Sequence, residues 1–293
     1  MSALPAANDN ENERIARLAS RINEIAVLPH VVFKVLEISS STDTPASAME
    51  KAIIIDPGFS SKLLMLANSA YYSLPRKVSS IREATTFLGY KAVRQLAMTV
   101  GLFDLFVGKT DKESLRRRAW WRHSVDTAVC SRWLAGEVKT VSTEEAYTCG
   151  LLHYIGKTLL DRIGDASYDL VEDKIEAGVD PLEAEMQVFG CTHVELARAA
   201  GRKWGFPESL IEGVLYVDPG PDNKFEGLCA CVAIANKIAD LALLGRAHED
   251  EEVDSIDRSL PEWALRALEL DAEQTHDLID RGIAAIGSAQ MQI

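Results

Sequence analysis

Hydrophobic positions recur along this chain at spacings of three and four residues, the period of an α-helix that buries one stripe. Ile15, Leu18, Ile22 and Ile25 mark a first amphipathic helix that ends before Pro29, because the residue preceding a proline is pushed out of helical backbone. Period-two alternation bounded by tight turns is nearly absent, so the expected fold class is all-α. Local signals place the helix ends. Pro45 after Thr44, Pro57 after Asp56 and Pro181 after Asp180 each put a proline at a first helical position behind a capping side chain. Ser80 with Glu83, Ser142 with Glu145 and Thr192 with Glu195 have the spacing at which each side chain satisfies the other residue's free amide. Gly89, Gly164 and Gly190 fall where such helices should stop.

An apolar helix from Ala92 to Phe106 gives way to Gly108-Lys109-Thr110-Asp111, which places a lobe boundary near those residues. The expected division is a polar, disordered N-terminus over 1–11, a helical lobe over 12–108 and a second over 109–247. An acidic loop and final helices follow over 248–293, where His248-Glu249-Asp250-Glu251-Glu252 precedes Pro261.

The 293 residues are 47% hydrophobic, enough for one large domain or two modest ones. No stretch approaches the roughly 18 to 20 uninterrupted apolar residues of a membrane span, and the start is polar rather than signal-like. The expectation is a cytoplasmic protein with no membrane partner. Cys130, Cys149, Cys191, Cys229 and Cys231 sit in apolar helical segments and read as reduced core thiols. One residue separates Cys229 from Cys231, too few for a structural zinc spacing. A formal net charge of −13 disfavours nucleic acid and favours protein or small-molecule partners.

Three of the six histidines, His123, His153 and His193, fall in strongly patterned helical segments of the second lobe. His153 stands between Gly150 and Gly156 with Lys157 a turn further on; a histidine satisfied by polar neighbours in a closely packed core is one reading of that segment. Arg116-Arg117-Arg118 and Arg122, with Trp120-Trp121, read as a solvated helix face over buried tryptophans, the alternative being a phosphate or nucleotide site. Asp56-Pro57 and Asn68-Ser69 read as architecture, capping a helix and closing its end through local side-chain bonds.

The stretch Gly150-Leu151-Leu152-His153-Tyr154-Ile155-Gly156-Lys157 resembles the "GLLHDIGK" signature of HD-superfamily proteins, with Tyr154 where the aspartate belongs. The front of the chain resembles the HDOD family more closely: Leu28-Pro29, Ile55-Asp56-Pro57, Leu63-Leu64, Ala67-Asn68-Ser69-Ala70-Tyr71, Ile81, Glu83-Ala84 and Leu88-Gly89 occur in its order and spacing. Trp121-Arg122-His123-Ser124 resembles its first-histidine helix, and Glu183-Ala184-Glu185, Phe189-Gly190, His193, Trp204-Gly205-Phe206-Pro207 and Ala235-Asn236 continue the likeness, which spans roughly Leu28 to Leu244. The resemblance implies an N-terminal helical bundle packed on an HD-like C-terminal bundle, used in bacterial signalling without enzymatic activity.

A phosphohydrolase of the HD superfamily surrounds one or two divalent cations with a histidine, a His-Asp doublet and a distant aspartate. The resemblance maps these onto His123, His153, Tyr154 and Asn236, so both carboxylates are missing and catalysis is not expected. Asp126, three residues after His123, and Asp240, four after Asn236, share helix faces with those positions and are the only substitutes. No cofactor and no metal are expected, a weak zinc or nickel site at His123 and His153 being the exception. The expected function is therefore non-catalytic regulation through signalling protein partners, with no attached output domain; the alternative is a divalent-metal phosphohydrolase acting on a nucleotide or cyclic dinucleotide.

Overall fold

A computed structural model describes residues 30–39, 46–69, 72, 74–103, 106, 111–163, 166–220, 222–247, 257–271 and 275–290, with single positions at 13, 15–17 and 20. Every regular element among these is a helix, as the periodicity requires. In chain order they are α1 His30–Ser39, α2 Ala46–Ile54, α3 Pro57–Ala67, α4 Ile81–Phe103, α5 Asp111–Val138, α6 Thr143–Leu152 and α7 Ile155–Ile163. There follow α8 Asp169–Glu176, α9 Pro181–Phe189, α10 His193–Lys203, α11 Glu208–Gly213, α12 Glu226–Ala247, α13 Glu262–Ala267 and α14 Thr275–Gln290. The polar N-terminus, most of the first amphipathic segment and its end before Pro29, the start at Pro45, the stop at Gly164, most of the boundary from Gly108 to Asp111 and the acidic run from His248 lie outside the described residues.

Helix ends follow local chemistry. Asp56 accepts a hydrogen bond from the Phe59 amide at 3.0 Å, and Asp180 accepts from the Leu182 and Glu183 amides at 3.0 and 3.2 Å. Thr192 and Glu195 form the complete reciprocal cap. The other two pairs are half made. Ser80 accepts from the Glu83 amide, but the Glu83 carboxylate returns to Ser79; Ser142 caps Glu145, whose carboxylate turns away to the Ser209 hydroxyl at 2.6 Å. Gly89 breaks α4 at a positive φ of 82°, and Gly190 ends α9 in the left-handed region, a conformation that costs a residue bearing a Cβ more.

The first four helices pack on one another, with Val32, Met49, Ile53, Phe59 and Leu63 buried between them. Asn68 corrects the expectation of a local closure. Its side chain spans ten residues, donating to the Val78 carbonyl at 2.8 Å and accepting from the Val78 amide at 2.7 Å, while the neighbouring Ser69 hydroxyl is buried without a partner among the described residues. Helices α5, α6 and α12 form the centre of the second bundle. α12 is long and apolar enough by composition to cross a membrane, yet most of it is buried against its neighbours, where Cys229, Cys231, Ile234 and Ile238 fill the core. All five cysteines are free and buried, and burial pushes the Cys229 and Cys231 thiols up to about 12. The two bundles meet where α4 lies on α6, Thr99 and Tyr147 sharing a hydrogen bond of 3.1 Å, and Arg132 of α5 donates to Gln95 of α4 at 2.8 Å.

Candidate functional site

Two glycines set the frame of the histidine pocket. A Cβ at Gly150 would come within 2.7 Å of the Ala128 Cα, so α6 lies with its backbone directly on α5. A Cβ at Gly156 would lie 1.8 Å from the His193 carbonyl oxygen, so the first turn of α7 rests on the start of α10. These approaches bracket His153 and bury it completely. They bring the α6–α7 turn, carrying His153 and Tyr154, against His123 of α5, His193 of α10 and Asn236 of α12.

The residues singled out from sequence converge. Asn236 Oδ1 lies 2.9 Å from His123 Nε2 and 3.1 Å from His153 Nε2, although 113 and 83 residues separate them in the chain. The Thr127 hydroxyl is 3.3 Å from the same His123 nitrogen, and the half-exposed Asp240 carboxylate is 3.5 Å from its Nδ1. His153 Nδ1 donates to the Gly150 carbonyl at 2.6 Å. The Tyr154 ring stacks on His123 with centroids 4.7 Å apart, sits 4.1 Å from His153, and carries the Lys157 ammonium 3.6 Å above its face. Asp126 is placed differently: buried in α5, it faces Arg122 at 3.5 Å.

A second network backs the pocket. Fully buried Glu185 accepts from the His193 amide and from His193 Nδ1, both at 2.7 Å, and from the Tyr168 hydroxyl at 2.5 Å. Burial alone would raise the Glu185 carboxyl, but His193 and Lys157 outweigh it and hold it as a carboxylate. The Tyr216 hydroxyl completes the chain, donating to His193 Nε2 at 2.8 Å, and its ring stands edge-on to His153. Sequence reasoning passed over Tyr216 and gave Glu185 no role. Neither carries a local signal: Tyr216 lies in an apolar run, and Glu185 declares itself only through an eight-residue reach to His193.

Burial lowers all three imidazoles, His153 most clearly, since His123 and Lys157 stand beside it; at His123 the Asp240 carboxylate opposes the shift and at His193 Glu185 does. Burial likewise pushes the Tyr154 and Tyr216 phenols above their usual range. The rings and the amide of the pocket are thus neutral, with the Lys157 ammonium and the Asp240 carboxylate beside them. The cations used by HD hydrolases do not fit these residues. Every imidazole nitrogen already has a polar neighbour, Tyr154 fills the gap between the rings, and among the described residues no group of three or more His, Cys, Asp or Glu side chains could hold a metal ion.

The arginine run also departs from its expected form. Arg116 and Arg117 are neither a solvated face nor a phosphate site: their side chains turn inward, each meeting one oxygen of the Asp161 carboxylate, itself screened from solvent, at 2.5 Å. Only Arg118 and Arg122 are exposed.

Known proteins share this architecture. A protein from Treponema pallidum (strain Nichols) is 25% identical over 227 residues, 75% of this chain but 43% of that protein, so the chain spans less than half of that relative's length. An HDOD domain protein of unknown function from Geobacter sulfurreducens superposes with a TM-score of 0.73 at 21% identity, covering 96% of this chain and 99% of that one. A candidate signal transduction protein from Marinobacter aquaeolei VT8 gives 0.77 at 18% identity over 99% of this chain and 66% of that one, and a candidate phosphohydrolase from Shewanella amazonensis SB2B gives 0.68 at 22% over 95% and 98%. The HDOD domain family model matches residues 25–219, which takes in the front bundle, His123, the His153-Tyr154 turn and His193 but stops short of Asn236. With two thirds of the sequence matched and the helices arranged as in a solved HDOD protein, this chain belongs to the HDOD family.

Proposed function

We propose that the chain is a non-catalytic regulatory protein of the cytoplasm that acts by binding signalling proteins. The observation that carries this reading is the Tyr154 ring, wedged among His123, His153 and His193 at the position of the superfamily's missing aspartate. Metal-assisted hydrolysis needs a firmly held cation to generate hydroxide and an anionic oxygen to share between cations. A phenol driven above its ordinary pKa of 10.0 stays protonated at neutral pH, and the Asn236 amide has no charge to offer. The likeness to a structure named as a phosphohydrolase is one of fold and transfers no activity. The partner reading is supported more coarsely, by family membership and by the signal-transduction name of one structural neighbour.

The test is an assay of the purified protein on phosphate esters, nucleotides and cyclic dinucleotides with manganese, magnesium, iron or nickel supplied. No turnover above a metal-only control is expected. Robust turnover abolished by a chelator would contradict the regulatory reading and favour the hydrolase.

A further inference from the structure

An amide's shape does not distinguish its oxygen from its nitrogen; the surrounding donors and acceptors do. The Gly150 carbonyl, 2.6 Å from His153 Nδ1, can only accept, so Nδ1 carries the hydrogen. His153 is wholly buried with no carboxylate against either ring nitrogen among the described residues, so it is neutral and its Nε2 is bare. An amide oxygen 3.1 Å from that nitrogen would set two acceptors against each other. His123 repeats the pattern: the Asp240 carboxylate beside Nδ1 draws the hydrogen to that edge and leaves Nε2 bare, 2.9 Å from the same amide atom. Thr127 is a further donor suited to a bare Nε2. Rotating the Asn236 amide half a turn about its last side-chain bond places the NH2 group there, where its two diverging hydrogens meet two lone pairs. Among the described residues the rotation breaks no other hydrogen bond of the amide nitrogen.

We propose that the Asn236 side-chain NH2 lies between His123 and His153, donates to both Nε2 atoms, and occupies with a neutral donor the point where a divalent cation would have to compete. The pocket is then a closed joint tying α5, the α6–α7 turn and α12 together. Both imidazoles keep the tautomer that a metal ligand needs, while the amide uses the lone pairs. This deepens the non-catalytic reading and rests on it, but its test reads hydrogen positions rather than turnover, so either can fail alone.

The experiment is long-range proton–nitrogen NMR on the full chain, labelled at histidine and asparagine nitrogens and chelator-treated at neutral pH. Protonated Nδ1 and bare Nε2 are expected for both His123 and His153, with slowly exchanging Asn236 side-chain protons. A hydrogen on either Nε2, or rapid exchange of those protons, would overturn the proposal on the native protein alone. In chelated Asn236→Asp, whose carboxylate can only accept, at least one Nε2 should gain a hydrogen. Both remaining bare in the folded variant would equally overturn it.

Discussion

Helix α5 buries two polar clusters that solve the same problem in opposite ways. At Arg116 and Arg117 the solution is matched charge: Asp161 takes one guanidinium on each oxygen at 2.5 Å, and Asp169 and Glu172 reach Arg116 at 2.6 and 3.2 Å. Burial would lower Arg116, but Asp169 and Asp161 more than compensate and keep its charge secure. Two turns on, at His123, the solution is neutrality, with imidazoles, phenols and an amide exchanging hydrogen bonds. Tyr168 joins the two, its ring beside Arg116 and its hydroxyl on Glu185. Charge in this lobe has been kept where it binds helices together and is scarce where a phosphate-cleaving centre would need it.

The contrast can be broken most severely at Asp161. Asp161→Ala removes the carboxylate that both guanidinium groups share, while Asp169 and Glu172 still reach Arg116 and Glu113 still faces Arg117, and is expected to cost about 3 kcal/mol in denaturant unfolding, the lower end of the penalty for breaking a buried ion pair. A loss under about 1 kcal/mol would mean that the cluster contributes little.

Gly156→Ala probes the pocket's frame instead, forcing a methyl group to within 1.8 Å of the His193 carbonyl oxygen. Overpacking of this kind costs about 1–3 kcal/mol, and the His193 and Tyr216 NMR signals should move with it. Unchanged stability and unchanged signals would show that α7 and α10 are less tightly joined.

Acid should separate the clusters. Folded His123, His153 and His193 have pKa values below the unfolded 6.5, so the unfolded chain binds more protons as pH falls through that value. Their contribution is present above about pH 6.5 and is lost towards the lower folded values, at about 1.4 kcal/mol for each tenfold difference in proton affinity between the unfolded and folded chain. Unfolding measured from pH 8 to pH 5 should show falling stability, and Asp161→Ala should keep the same slope from a lower starting point. A flat profile would mean that the imidazoles bind protons as readily in the fold as in the unfolded chain.

What sequence revealed follows the range of each interaction. Asp56 before Pro57, Asp180 before Pro181 and the Thr192–Glu195 cap were legible because both partners lie within a turn. His123, His153 and Asn236 became legible only through a family resemblance, since nothing local announces a contact across 83 or 113 residues. Asn68 was read as a local closure because its partner Val78 lies beyond the helix it ends, and Arg116 and Arg117 as solvated because Asp161 is 44 or 45 residues away. Glu145 shows the same limit inside a correctly placed cap, its carboxylate drawn off by Ser209.

The central claim is that this pocket is closed by its own neutral side chains, and metal occupancy tests it most directly. Equilibrium dialysis of the unaltered chain against manganese, iron, nickel and zinc, followed by elemental analysis, should leave no stoichiometric metal beyond that retained by His153→Ala. One or two ions per chain, lost on that substitution, would contradict it.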